Sequence, residues 1–293
     1  MATAGAREAA MMRRWARQWL RSCREMPARA LAVLGREASA PEKRVHDFRR
    51  LMKAWRALLR LAPAGLVVEA RAIRSDVARL RRTFGAVRDA TMVAATLKRL
   101  RPELVLADEG RTEADKLLLE HGVAVRAELE RLSMAMAGWS VAGETGDFLV
   151  LAFRHSYRRA RREARRNPRR MNLKRLHCWR SAVIDLGYQL AFFQPAGPAR
   201  LRRQTKEAER LRGHLGQIVD LDMARAYLAA GPSDGGGVQA CGEIKREIER
   251  EVARRRRKAA RLAGRLFDRR ARVAGARLRA AMEDHPPRRV RLS

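Results

Sequence analysis

The chain has 293 residues, of which 65 are Lys or Arg and 32 are Asp or Glu, so it carries a formal charge of +33 and a pI near 11.7. Hydrophobic residues make up 46% of it, enough to bury a core, which excludes wholesale disorder and leaves a folded protein with an extreme surface. A compact chain of this charge repels itself unless counterions or a polyanion neutralise it, so a strongly acidic partner is expected.

The first segment places Arg7, Glu8, Arg13 and Arg14 where a secretory leader needs an apolar run, and its Trp15, Trp19 and Leu20 read as the buried side of an ordinary helix. No stretch of about 18 uncharged apolar residues follows, so a membrane span is not expected. After a break at Ser39-Ala40-Pro41, the spacing predicts a helix from Glu42 to Leu61 with two stripes. Val45, Phe48, Met52, Trp55 and Leu59 step by three and four, and so do His46, Arg49, Lys53, Arg56 and Arg60, with Arg50 beside them. At about 100° per residue the basic stripe lies roughly 110° round from the apolar one, at the edge of the core, where the wall of a charged groove would stand.

One such stripe is ordinarily a solvated face whose long side chains snorkel, but here the device recurs. Beyond Ala62-Pro63-Ala64-Gly65 the next helix turns Ile73, Val77, Leu80 and Phe84 inward, with Arg71, Arg74, Arg81 and Arg82 alongside or opposite. Past a break from Gly138 to Gly146, the run Arg154, Arg158, Arg161, Arg162, Arg165, Arg166, Arg169 and Arg170 contains one glutamate. Further breaks are expected at Asn167-Pro168, Pro195 to Pro198 and Gly231 to Gly237, with Arg202, Arg203, Lys206, Arg210 and Arg212 between the last two. The tail from Pro286 to Ser293 has little to pack and is expected to be loose. Almost no segment alternates as a strand would, so the fold class is all-α.

The excess of Arg suits phosphate, because a guanidinium fork engages two oxygens at once and each neutralised phosphate releases condensed counterions. Cys23, Cys178 and Cys241 are odd in number, far apart and outside any CxxC or His/Cys cluster, which fits neither a disulfide framework nor a zinc site and points to a reducing cytoplasm.

An internal repeat runs through the chain. Arg44-Val-His-Asp-Phe-Arg49 recurs as Arg175-Leu-His-Cys-Trp-Arg180, and Phe84-Gly-Ala-Val-Arg-Asp-Ala-Thr-Met92 as Leu215-Gly-Gln-Ile-Val-Asp-Leu-Asp-Met223, both at an offset of 131 positions. A duplicated helical unit is the economical explanation. The expected organisation is a first half over residues 1–143, a second over 144–285 and a basic tail over 286–293. His46 and His177 each precede an arginine by three residues on one helical face, as structural hydrogen-bond partners or as anion contacts. Asp89 and Asp220 read as helix caps or ion-pair partners that orient the basic wall, and no carboxylate cluster suggests a metal.

The duplicated pattern, His-x-x-Arg with a Gly 39 positions after the His and an Asp four beyond that, resembles the CHAD family over roughly residues 10 to 280. The resemblance implies two four-helix bundles related by a pseudo-twofold axis, enclosing a basic groove or pore that binds inorganic polyphosphate. Some members of that family accompany a triphosphatase domain or associate with storage granules. Matched by position, it implicates His46, Arg49, Lys53 and Arg56 in the first half and His177 and Arg180 in the second. The second half departs from the pattern at Ile184 and Gly187, and Val219 stands where the first half has Arg88.

Stripes and resemblance together give an expected phosphate-binding set of His46, Arg49, Arg50, Lys53, Arg56, Arg60, Arg71, Arg74, Arg81, Arg82, Arg88, Arg158, Arg162, Arg165, His177, Arg180, Arg202 and Lys206. Gly85, Asp89, Gly216 and Asp220 are expected to be structural. Catalysis, a metal and a cofactor are not expected. The string Glu247-Ile-Glu249-Arg250-Glu251 lies in a helical run instead of the ExExK strand of a triphosphatase, and no P-loop, nucleophile elbow or HExxH helix occurs. Nucleic acid is the expected competitor, since its backbone exploits the same counterion release, and association with a storage-granule surface is a third reading.

Overall fold

The computed structural model describes residues 4–101, 109–166, 171–197, 199–230 and 238–288, with side chains at all of these except 4, 86–91, 109–111, 230 and 238–241. Among the described residues there are helices and no strands: α1 (Ala4–Leu34), α2 (Pro41–Leu59), α3 (Val67–Thr83), α4 (Gly85–Leu100), α5 (Glu109–Ala135), α6 (Asp147–Ala164), α7 (Leu173–Phe193), α8 (Ala199–Ala230), α9 (Val238–Leu266) and α10 (Ala271–Asp284). The expected break at 167–168 and that at 231–237 lie outside the described residues, as does the tail beyond 288.

Local chemistry explains how α2 starts. Pro41 fits the first turn, where its missing N–H is no loss, and Glu42 favours the positive end of the helix. The whole expected apolar stripe of α2 is buried, with Phe48, Met52 and Trp55 at 0% exposure, and Phe48 meets Phe84 edge-on with ring centroids 5.4 Å apart. The sharp entry into α6 depends on Gly146, whose φ is +85° and whose Cβ, if it had one, would overlap the Met12 carbonyl of α1.

Helix α7 lies at the centre, packed against α2, α6 and α8. Its buried residues run on through Ala182, Val183, Ile184, Asp185, Leu186 and on to Phe193, and Gln189 Nε2 donates to Ala57 O of α2 at 3.0 Å. The loss of charge at Ile184 and Gly187 therefore reflects core packing: Ile184 is buried, and α8 comes so close that a Cβ on Gly187 would stand 3.9 Å from Ala208 Cβ. One continuous core extends from α1 to α10, and a smaller one joins Leu97 of α4, Leu221 and Leu228 of α8, and Ile244 and Ile248 of α9. No helix among the described residues is long and apolar enough to cross a membrane.

Two helix ends correct the sequence reading. The sequence reading placed Phe84 inside the helix and no break before Gly138, yet α3 stops at Thr83 and α4 starts at Gly85. Likewise α9 ends at Leu266 with no Gly or Pro to stop it. Its terminal carbonyls find donors in α6: Tyr157 Oη donates to Leu266 O and Arg269 O at 3.1 and 3.2 Å, and Arg161 Nε donates to Phe267 O at 3.2 Å. Tertiary contacts, invisible in local composition, end both helices.

Candidate functional site

The repeat motif proves to be a packing device. Arg49, at 7% exposure, sends Nη1 to Arg81 O and Phe84 O, both at 2.7 Å, so its guanidinium satisfies the carbonyls that α3 leaves at its end. It lies over Gly85, 4.0 Å from where a Cβ would stand. Arg180 of α7 lies in the same way over Gly216 of α8, its Nε and Nη2 3.8 Å from the corresponding point. Asp220 is buried at 7% exposure, while the side chains of Arg88 and Asp89 fall outside the described ones.

Downstream of Arg49, the basic stripe of α2 meets three other helices. Asp185 of α7 places Oδ2 2.7 Å from Arg60 Nε and 3.0 Å from Arg159 Nη1 of α6. Arg56 feels Asp185, Arg60, Arg82 and Arg159, and Arg74 feels Arg60, Asp185, Arg56 and Arg71. Burial and then these like charges push the Arg74 guanidinium down to about 10 and lower Arg56 as well, in each case against the pull of Asp185. Both remain charged at neutral pH, held among more positive charge than Asp185 offsets. Arg56 Nε is buried and without a hydrogen-bond partner.

Of the expected contact residues, Arg56, Arg60, Arg71, Arg74 and Arg82 thus come together, from α2 and α3. His46 is exposed one turn before Arg49 and Arg50, and burial of its inner edge, then Lys53, lowers its pKa below the usual histidine value. Arg81 is half-buried beside the end of α3. Arg158, Arg162 and Arg165 are exposed along α6, with Arg162 3.7 Å from Glu163. His177 is exposed on α7, Lys206 is exposed on α8, and Arg202 donates to Gly197 O at 2.6 Å. None of these last residues shares an ion pair with the cluster around Asp185 among the contacts described.

Two members of the cluster escaped the sequence reading. Arg159 was lost inside a long basic run, since every member of such a run looks alike until the helix is placed. Asp185 had a readable signal: an aspartate inside Val183-Ile184-Asp185-Leu186 is a carboxylate in an apolar stretch, which has to be paired with a cation.

No curated protein and no solved structure matches this chain. A family model, described as the CHAD domain, matches residues 24–229, which spans the chain from within α1 to the end of α8 and takes in all the residues of the cluster. With well over half of its length matched, the chain belongs to the CHAD family.

Proposed function

We propose that this protein binds inorganic polyphosphate without cleaving it, through the groove walled by Arg56 of α2, Arg60 at its C-cap, Arg71, Arg74 and Arg82 of α3 and Arg159 of α6. The observation that carries the reading is the excess positive charge of this cluster, where half-buried guanidiniums crowd round Asp185 and Arg74 is pushed down to about 10. A polyphosphate chain bears a charge on every phosphate with no sugar between them, so it delivers more negative charge to so small a site than a nucleic-acid backbone does. Base stacking has little to use: Trp15, Trp19, Trp55 and Trp179 are all at 0% exposure. CHAD membership and the net charge of +33 support the same reading.

An internal duplication belongs to this proposal. The packing of α1 on α2, α2 on α3, α4 on α5 and α1 on α5 is paralleled by that of α6 on α7, α7 on α8, α8 on α9 and α6 on α9, and Arg49 over Gly85 is paralleled by Arg180 over Gly216. On this view α2 and α7 pack across the pseudo-twofold. Association with cytoplasmic polyphosphate granules is the cellular extension of the same binding.

The test is competition between labelled long-chain polyphosphate and single-stranded DNA at physiological salt. Polyphosphate is expected to win, with log affinity falling linearly as log salt rises and no orthophosphate released. An affinity indifferent to salt, or a preference for DNA, overturns the proposal.

A further inference from the structure

The one carboxylate of the cluster sits where an incoming anion would be expected. Asp185 Oδ2 touches one guanidinium at the C-cap of α2 and one on α6, its side chain is 11% exposed, and it reaches them from α7 between the buried residues Ile184 and Leu186. Against Arg56, Arg60, Arg74 and Arg159 it leaves three positive charges over. A single oxygen, Oδ2, meets both cations in the described ion pairs.

We propose that Asp185 is a resident anion in the seat between Arg60 and Arg159 and determines which anions the site accepts, excluding single phosphates and yielding to linked ones. The inference rests on the polyphosphate reading above. A tethered carboxylate stands at its seat with an effective concentration in the millimolar range or above, so a separate small phosphate has to displace two ion pairs at its own, lower concentration. A chain already held by the exposed Arg71 and Arg82 presents its next phosphate from within the same complex, and the two competitors then meet on equal terms. A long chain also keeps those contacts that bypass the seat. Removing the charge of Asp185 therefore helps small anions more than long ones, and it adds about one released ion to the salt dependence.

The experiment compares wild type, Asp185→Asn and Asp185→Glu in the full chain, with pyrophosphate and long-chain polyphosphate as probes in calorimetry and thermal melting. In D185N, pyrophosphate affinity is expected to rise at least tenfold, long-chain affinity to rise by a smaller factor, and the salt slope to steepen by about one. D185E is expected to behave as wild type. Loss of affinity for both probes in D185N would make Asp185 a brace and overturn the inference, as would equal gains for the two probes. If D185N does not fold, D185S is purified with and without pyrophosphate: rescue of folding by the anion supports a seat, and no rescue overturns it. A wild type that ignores long polyphosphate while D185N gains pyrophosphate binding would refute the functional reading and leave the seat standing.

Discussion

Arg49 over Gly85 and Arg180 over Gly216 are the same residue types at the same spacing, yet they do different work. In the first half the helix breaks at Phe84, and Arg49 becomes the donor for the open carbonyls at the end of α3. In the second half α8 runs unbroken from Ala199 to Ala230, so no helix end exists there for Arg180 to satisfy. The break also separates α3 from α4 as two helices, and α3 carries Arg71, Arg74 and Arg82 to the cluster. A single motif arginine thus fixes a helix end in one half and packs along a continuous helix in the other, and the arginines of α3 that meet Asp185 lie on the side of the break.

The largest effect expected from this contrast is on binding. Replacing Arg56, Arg60 and Arg74 together with alanine should weaken polyphosphate binding by orders of magnitude and flatten the salt slope by up to about three. The matched triple Arg158, Arg162 and Arg165, exposed on α6 outside the cluster, should change the slope by less. Filter binding across a salt series checks both, and equal losses would spread the site over the whole basic surface.

Stability should separate the two motif arginines. Arg49→Ala removes two charge-assisted hydrogen bonds to buried carbonyls and is expected to cost about 2 to 4 kcal/mol in denaturant unfolding. Arg49→Lys should recover part of that, because both bonds come from the single nitrogen Nη1 and an ammonium carries N–H groups enough for two carbonyls. Arg180→Ala, at a half-buried residue beside an unbroken helix, should cost roughly 1 kcal/mol. Equal costs would mean that the end of α3 is held by something other than Arg49.

These differences mark the limit of what the sequence disclosed. The buried stripe Val45, Phe48, Met52, Trp55 and Leu59 was legible because a single helix imposes its period on its own residues. The clustering of Arg56 and Arg60 with Arg71 and Arg74 was half legible, as two stripes without a distance between them. The part Arg49 plays in holding the end of α3 was not legible, because nothing near it announces that α3 will end at Thr83. The poverty of charge at Ile184 and Gly187 was legible, but not that Ile184 is buried and Gly187 faces Ala208 of α8 on a central helix. Arg159 and Asp185 become neighbours only once α6, α7 and α2 are packed, a long-range fact that no local pattern encodes.

His46 offers a smaller test on the charged side of the contrast. Its pKa is lowered, chiefly by burial and then by Lys53, so the ring is neutral at pH 7 and the unfolded chain takes up its proton first as the pH falls. Stability from this residue is present above about pH 6.5 and declines as the pH drops from there toward the folded value. A phosphate beside the ring reverses the balance, since an anion favours the imidazolium, and bound polyphosphate is expected to raise the His46 pKa. Binding should then tighten as the pH falls through the raised value, and His46→Ala should weaken it at mildly acidic pH by a few-fold while leaving alkaline binding unchanged. NMR titration of the ring with and without polyphosphate reads both directions; a pKa that stays low with the ligand bound would place His46 outside the anion's path.

The smallest expected effect concerns the glycines under the two arginines. A Cβ on Gly85 would stand 4.0 Å from Arg49 Nη1, and one on Gly216 3.8 Å from Arg180 Nε and Nη2, both ordinary van der Waals separations. Neither glycine has the positive φ found at Gly143, Gly146 and Gly197. Space and backbone therefore tolerate alanine at either place, and helix propensity decides the outcome. Gly216 lies within α8, where glycine costs roughly 0.5 to 1 kcal/mol relative to alanine, so Gly216→Ala should stabilise the protein by about that much. Gly85 is the first residue of α4, where the helix has barely begun to constrain the chain, so Gly85→Ala should gain only a few tenths. A larger side chain tests the guanidinium contact itself: leucine at either position would push the arginine off its seat, and at position 85 it would also strip the end of α3 of its donor. Thermal melting of the four variants should rank G216A above wild type, G85A beside it, G216L below and G85L lowest. If G85L proves milder than G216L, Arg49 is not what holds the break at Phe84, and the asymmetry between the halves has another cause.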